Sequence, residues 1–186
     1  NFYITNNFGF PTFFGSVFIP LMPPQTSANI SAVLNTGSVL GNRTITVIPD
    51  PLDQIFELND TNNNGTKGVF VHGPDLIMLN VTHTNVSLDT FVTFNATVQN
   101  IGLSNATGFY VSLLVDGILY DYVFVSSLQV NSSKNVLIGW LATGGQHNIT
   151  MHADQFENVV EHDETNNNFT IELPFIPGYD LIVENF

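Results

Sequence analysis

Residues 91–98 read Phe-Val-Thr-Phe-Asn-Ala-Thr-Val. In an extended chain Val92, Phe94, Ala96 and Val98 fall on one side and Thr93, Asn95 and Thr97 on the other, because successive strand side chains point to opposite faces. That is a strand with one face in a core and one in water. The pattern continues outward. Phe109, Val111, Leu113 and Val115 alternate in the same way. Asp116-Gly117 then parts this run from Ile118–Val125, and Asp-Gly between two apolar runs is the strongest short hairpin signal. Asn135–Leu141 and Asn148–His152, joined through Thr143-Gly144-Gly145, predict two more strands. Asp75–Val81 opens the set and Phe169–Leu173 closes it. About seven short strands in about 100 residues predict an antiparallel β-sandwich of immunoglobulin type.

The same unit is used more than once. DPLDQIFELNDTNNN at 50–64 aligns without a gap on DQFENVVEHDETNNN at 154–168, an offset of 104. Pro74-Asp75-Leu76-Ile77 returns as Tyr179-Asp180-Leu181-Ile182 at an offset of 105. Val17-Phe18 falls on Val123-Phe124 and Asn29-Ile30 on Asn135-Val136 at 106. A near-constant period of this size marks one structural unit repeated. A weaker match sets Ile4–Gly9 on Thr97–Gly102, the end of the second strand. The fold class expected is all-β with two immunoglobulin-like sandwiches. Residues 1–73 form an incomplete first sandwich with an apolar segment over 1–24. Residues 74–174 form a complete one, and 175–186 are a spare first strand.

Composition narrows the function. Charged residues are 10% of the chain, against about 25% in ordinary soluble domains. Arg43, Lys67 and Lys134 are the only basic residues, and the formal charge is −13. Neutralising nucleic-acid phosphates or anionic lipid needs many Lys and Arg, so neither partner is expected. Cysteine is absent, which excludes disulfide and thiol chemistry. No uninterrupted apolar run reaches the ~20 residues of a membrane span. Prolines at 11, 20, 23 and 24 break the apolar N-terminal segment and exclude the long helix of a type IV pilin. That segment also lacks the basic start of a signal peptide, so Asn1 is expected to open a processed chain.

Asparagine carries the strongest chemical signal. Of 23 Asn, 11 begin an Asn-x-Ser/Thr triplet, where chance placement gives about four. They are Asn29, Asn42, Asn59, Asn64, Asn80, Asn85, Asn95, Asn105, Asn131, Asn148 and Asn168. Such triplets accept N-linked glycans in exported proteins. The middle residue is apolar in seven: Ile30, Val81, Val86, Ala96, Ala106, Ile149 and Phe169. In a strand this sets Asn and Ser/Thr on the solvent face and the middle residue inward. N-linked glycans are therefore expected, and no other cofactor.

Catalytic and metal signals are weak. Asp154, Glu157, Glu161, Asp163 and Glu164 cluster, but without calcium-loop spacing; a turn bonded by its own Asp and Asn side chains is the plainer reading. The five histidines show no zinc pairing, and no Gly-x-Ser-x-Gly elbow is present. The chain is not expected to be an enzyme. Lys67 and Lys134 are candidates for isopeptide bonds to Asn or Asp if buried. Phe8, Phe10, Phe13, Phe14 and Phe18 are expected to pack in a core or interface.

The residues Pro74–Ile77, Val98-Gln99-Asn100-Ile101-Gly102 with Ala106, and Glu161–Asn167 with its Glu-Thr-Asn-Asn close resemble the CARDB-type repeat. That is an immunoglobulin-like module of bacterial and archaeal surface proteins, and the resemblance implies adhesion or surface structure. With its glycan triplets, low charge and lack of cysteine, the chain also resembles the thread-filament subunits of thermoacidophilic archaea. That resemblance implies subunits completed by a neighbour's strand.

An incomplete sandwich leaves unpaired backbone and an apolar groove, and a strand from another copy relieves both. The donor strand expected is Tyr179, Asp180, Leu181, Ile182, Val183, Glu184, Asn185 and Phe186, with Tyr179, Leu181 and Val183 filling the groove. The rival donor is segment 1–20. Donor and groove on different parts of one chain make a heterologous contact, hence a head-to-tail homopolymer. An adhesin or lectin-like binding module at the cell surface is the reading from another class.

Overall fold

In a computed structural model of the chain, residues 1–37 and 39–182 are described. They divide into two compact units, residues 1–72 and 73–186.

The second unit holds seven strands: β5 (Leu76–His83), β6 (Phe91–Asn100), β7 (Ala106–Val115), β8 (Ile118–Leu128), β9 (Ser133–Leu141), β10 (Asn148–Ala153) and β11 (Asn168–Glu172). They form two antiparallel sheets, ordered β5-β6-β9 and β11-β10-β7-β8. In immunoglobulin lettering these are A-B-E and G-F-C-C′. Alternation drives the packing. On β6, Val92, Phe94, Ala96 and Val98 are buried while Phe91 and Thr93 face water. They meet Phe109, Val111 and Leu113 of β7 and Ile149 and Met151 of β10 in one continuous core. Burying side chains of this size contributes roughly 1.5–3 kcal/mol each. The β7–β8 hairpin closes through Asp116 and Gly117, both at positive φ (+52° and +81°), the conformation of a type I′ turn.

The first unit is one antiparallel sheet. Its strands are β1 (Phe2–Thr5), β2 (Pro11–Gly15), β3 (Gly41–Val47) and β4 (Gly65–Val71), in the order β2-β1-β3-β4. At the repeat offset β3 and β4 are strands F and G. β1 pairs with β3 at Phe2↔Val47 and Ile4↔Ile45. β7 pairs with β10 at Leu113↔Met151 and Val115↔Ile149. Adding 104 to Val47 and Ile45 gives Met151 and Ile149, so Phe2 and Ile4 stand where Leu113 and Val115 stand. β1 is therefore strand C and β2 strand C′. The sequence match that set Ile4–Gly9 at the end of strand B is corrected by this register.

Among its described residues the first unit thus carries the G-F-C-C′ sheet alone. The strands expected around Val17-Phe18 and Asn29-Ile30 do not form: residues 16–37 hold no strand and are largely exposed. The reason is pairing. In the second unit β9, the counterpart of 29–35, is bonded along its length to β6. No counterpart of β6 stands among the described residues of the first unit, and a strand without a ladder partner leaves its backbone groups unsatisfied.

Candidate functional site

The first feature of interest is the apolar surface that the first unit leaves exposed, most of it on loops beside the sheet. Among the described residues of the first unit only Phe2, Ile4 and Val71 are buried apolar side chains. Phe2 meets Phe14 and Tyr3 meets Phe13, each at 5.8 Å between ring centres. The rest of the expected aromatic cluster is not packed: Phe8, Phe10 and Phe18 are largely exposed. So are Leu52, Ile55, Phe56 and Leu58 in the loop before β4.

The second feature is the loop joining β10 to β11, which grips the start of β5. Asp154, at φ +54°, accepts hydrogen bonds from the backbone N–H of Asn158 (3.0 Å) and Val159 (2.7 Å). Asp163 accepts from the N–H and hydroxyl of Thr165 at 2.9 and 2.6 Å. These local bonds satisfy the turn and fix its shape. The shaped loop then reaches the incoming strand. The carboxyl of Glu161 accepts the N–H of Leu76, and its other oxygen accepts from Asn167 Nδ2 at 2.9 Å. Asn166 Nδ2 donates to the Asp75 carboxylate at 2.8 Å. The N–H of His162 donates to the Pro74 carbonyl at 3.1 Å, and that of Gly73 to His162 Nε2 at 3.2 Å. Glu161 is buried, and that burial, with the neighbouring charge of Glu164, pushes its pKa up to about 8 despite the Leu76 N–H. From the other side Asn100 Oδ1 accepts the N–H of Asp75 at 3.2 Å and of Gly102 at 3.0 Å.

The first unit keeps this loop. Asp50 lies at φ +39° and accepts the N–H of Ile55 at 2.6 Å, as Asp154 accepts that of Val159. Asn59 accepts the N–H and hydroxyl of Thr61 at 3.0 and 2.7 Å, as Asp163 does from Thr165. Glu57, Leu58 and Asn62 occupy the places of Glu161, His162 and Asn166. Among its described residues the unit has no strand at the place of β5. Leu58 and Asn62 are exposed and Glu57 is half-buried.

The candidate donor segment leaves the second unit after Ile176, which is buried and exchanges two backbone bonds with Gly145 (2.8 and 2.9 Å). Tyr179 and Ile182 are largely exposed and Leu181 is 92% exposed; residues 177–182 form no strand. The Tyr179 hydroxyl donates to Asp89 at 2.7 Å. Asp180 is exposed. Val183, Glu184, Asn185 and Phe186 lie outside the described residues. The rival donor, 1–20, contributes β1 to the middle of its own sheet.

Ten of the eleven glycan triplets open on an exposed Asn; Asn95, on the central strand β6, is half-buried. Several triplets face one another across strand pairs. Asn80 stands opposite Thr97 and Thr82 opposite Asn95 on β5–β6. Thr150 and Thr170 share a hydroxyl bond of 2.8 Å across β10–β11. Lys67 on β4 and Lys134 on β9 are both exposed, so neither has the burial that an isopeptide bond within the unit needs. Among the described residues no group of three or more His, Asp or Glu is placed to hold a metal ion.

A family model for CARDB matches residues 73–171, more than half of the chain. The chain belongs to the CARDB family. A solution structure of a Pyrococcus furiosus CARDB domain superposes with a TM-score of 0.51 at 24% identity, covering 57% of this chain and 98% of that one. A domain of a protein assigned to the cell surface of Methanosarcina acetivorans gives 0.50 at 35% identity, with 57% and 95% covered. No curated protein matches the chain. The CARDB match coincides with the complete sandwich, β5 to β11. Sequence reasoning found the loop at 154–167 as a turn. It missed that Glu161, His162 and Asn166 hold β5, and the clue was that both loop and strand start recur together.

Proposed function

We infer that this chain is a structural, non-catalytic subunit of an extracellular, heavily N-glycosylated filament, built head to tail by strand donation and serving surface adhesion or biofilm. One observation carries the reading. Among its described residues the first unit holds one sheet of a sandwich, with apolar loop side chains exposed beside it, and the chain also carries, in exposed segment 178–182, a second copy of the residues that open strand A. A strand added to that unit by another copy satisfies backbone and covers apolar surface at once. Burying three large side chains contributes roughly 5–8 kcal/mol before ordering costs. The central place of β1 in its own sheet favours the C-terminal segment over 1–20 as donor. The cell-surface assignment of the Methanosarcina relative supports an extracellular setting, and the exposed glycan triplets supply the solubility that charge does not. Among the described residues no helix is long and apolar enough to cross a membrane. Because both lysines are exposed, any isopeptide bond would join subunits; loss of one ammonia or water in a cross-linked peptide is the mass signature.

Electron microscopy of the secreted protein with and without residues 178–186 tests this. Thin fibres from the intact chain and monomers from the truncated one are expected. Fibres from both would shift the donor to 1–20. Monomers from both would sink the filament reading.

The second reading, a glycan-binding adhesin module, has its own observation. Tyr110, Tyr122, Phe124 and Phe156 form an aromatic patch of edge-to-face and tilted pairs beside β7–β8, with ring centres 5.2–5.7 Å apart and the last three half exposed. Specific signal on a glycan array from a monomer that loses it on Tyr122→Ala would favour that reading.

A further inference from the structure

The repeat extends to individual hydrogen bonds, and this identifies the receptor for the donated strand. Four features of the 154–168 loop recur in the 50–64 loop at the same offset. They are the positive-φ aspartate (Asp154, Asp50), its bond to the N–H five residues on (Val159, Ile55), a second positive-φ residue (Glu157, Asp53), and the side-chain oxygen that accepts from both Thr165 or Thr61 groups (Asp163, Asn59). In the second unit this frame exists around a strand start, Gly73-Pro74-Asp75-Leu76. In the first unit the frame is built, and no strand among the described residues lies at that place. The chain holds one more copy of that start, Gly178-Tyr179-Asp180-Leu181, and it is exposed.

We propose that residues 57–62 of one copy form a strand clamp for residues 179–181 of a second copy. The Asn62 amide donates to the Asp180 carboxylate, the Glu57 carboxyl accepts the Leu181 N–H, and the Leu58 N–H donates to the Tyr179 carbonyl. The inference rests on the strand-donation reading and adds to it the address at which the strand is read. Each contact copies one already made inside the second unit, by Asn166, Glu161 and His162 on Asp75, Leu76 and Pro74. The complementarity is polar and directional. Asp180 would place a carboxylate beside Asn62, an amide donor, in a chain of net charge −13 that offers few cations. This sets register as well as affinity, because a slip of one residue presents Tyr179 or Leu181 to Asn62 and reverses every inward side chain.

A side-chain exchange tests the clamp in the full-length secreted chain, read as the polymer fraction by sedimentation. Asn62→Asp sets two carboxylates against each other and should lower the polymer fraction at least tenfold. Asp180→Asn alone should lower it less. The double variant Asn62→Asp with Asp180→Asn restores an amide–carboxylate pair with its direction reversed, and should recover most of the wild-type fraction. Asn166→Asp is the folding control: it should lower the melting temperature of the second unit without touching assembly. Leu181→Asp separates the two levels of the argument. If Leu181→Asp stops assembly while Asn62→Asp leaves it unchanged, or the double variant fails to recover, the clamp is overturned and strand donation stands. If the unaltered chain does not polymerise, both fall.

Discussion

Glu161 sets a buried carboxyl against the backbone N–H of Leu76, with Asp154 and Glu164 as its charged neighbours and Asn167 on its other oxygen. In the fold its pKa is raised to about 8; in the unfolded chain a glutamate titrates near 4.3. Between those values the folded state holds a proton that the unfolded state has lost. Stability from this group is full below the unfolded value and is lost as pH rises through the folded one. The second unit should therefore be on the order of 2–4 kcal/mol less stable at about pH 9 than at about pH 5 on this account alone. Glu161→Gln should flatten that slope and raise the melting temperature on the alkaline side. The Asn167 Oδ1, buried without a partner, can take the new amide proton if the Asn167 amide turns over. Denaturant melts across pH check this; parallel slopes for both proteins would refute it. Gly102 makes a second residue-scale case. A Cβ there would lie 2.5 Å from the backbone of Pro74 and Asp75. Gly102→Ala should push the strand start out of its grip and destabilise the second unit by about 2 kcal/mol or more, measured by the same melts.

At the scale of elements, β6 was legible because its ten residues alternate cleanly and the two faces differ. The β7–β8 hairpin was legible because Asp-Gly is a local signal with a local cause. β1 was not. Four residues, Phe2–Thr5, carry too little pattern to fix a register, and their position as strand C is decided by Val47 and Ile45, over 40 residues away. The grip of the β10–β11 loop on β5 was hidden for the same reason: Glu161 and Leu76 are 85 residues apart, Asn166 and Asp75 91. Composition locates such side chains in a turn but not their distant partners. Element context also ranks the glycan triplets. Asn95 sits between β5 and β9 with its Oδ1 buried, while the other ten Asn are exposed. A bulky sugar on a central strand has to displace both neighbours' side chains. Glycopeptide mapping is expected to show Asn95 as the least occupied acceptor, and full occupancy there would contradict this account.

For the whole molecule, the two units share one loop plan and differ in how much core they bury. The second buries a continuous core between two sheets; the first, among its described residues, buries three apolar side chains on one. Local stability follows buried apolar contact, so the units should open at different free energies. In hydrogen exchange on the monomer, amides of β6, β7 and β10 should be the slowest and those of β3 and β4 should exchange at least a hundredfold faster. A ligand that binds only the folded form stabilises it in proportion to its concentration over Kd. A synthetic peptide of residues 178–186 should therefore slow exchange across 41–71 and leave β6 unchanged, with half the effect or less from a peptide carrying Asp180→Ala. If 41–71 is already as protected as β6 in the monomer, the first unit is complete as it stands. Its exposed Phe56 and Leu58 then need another occupant.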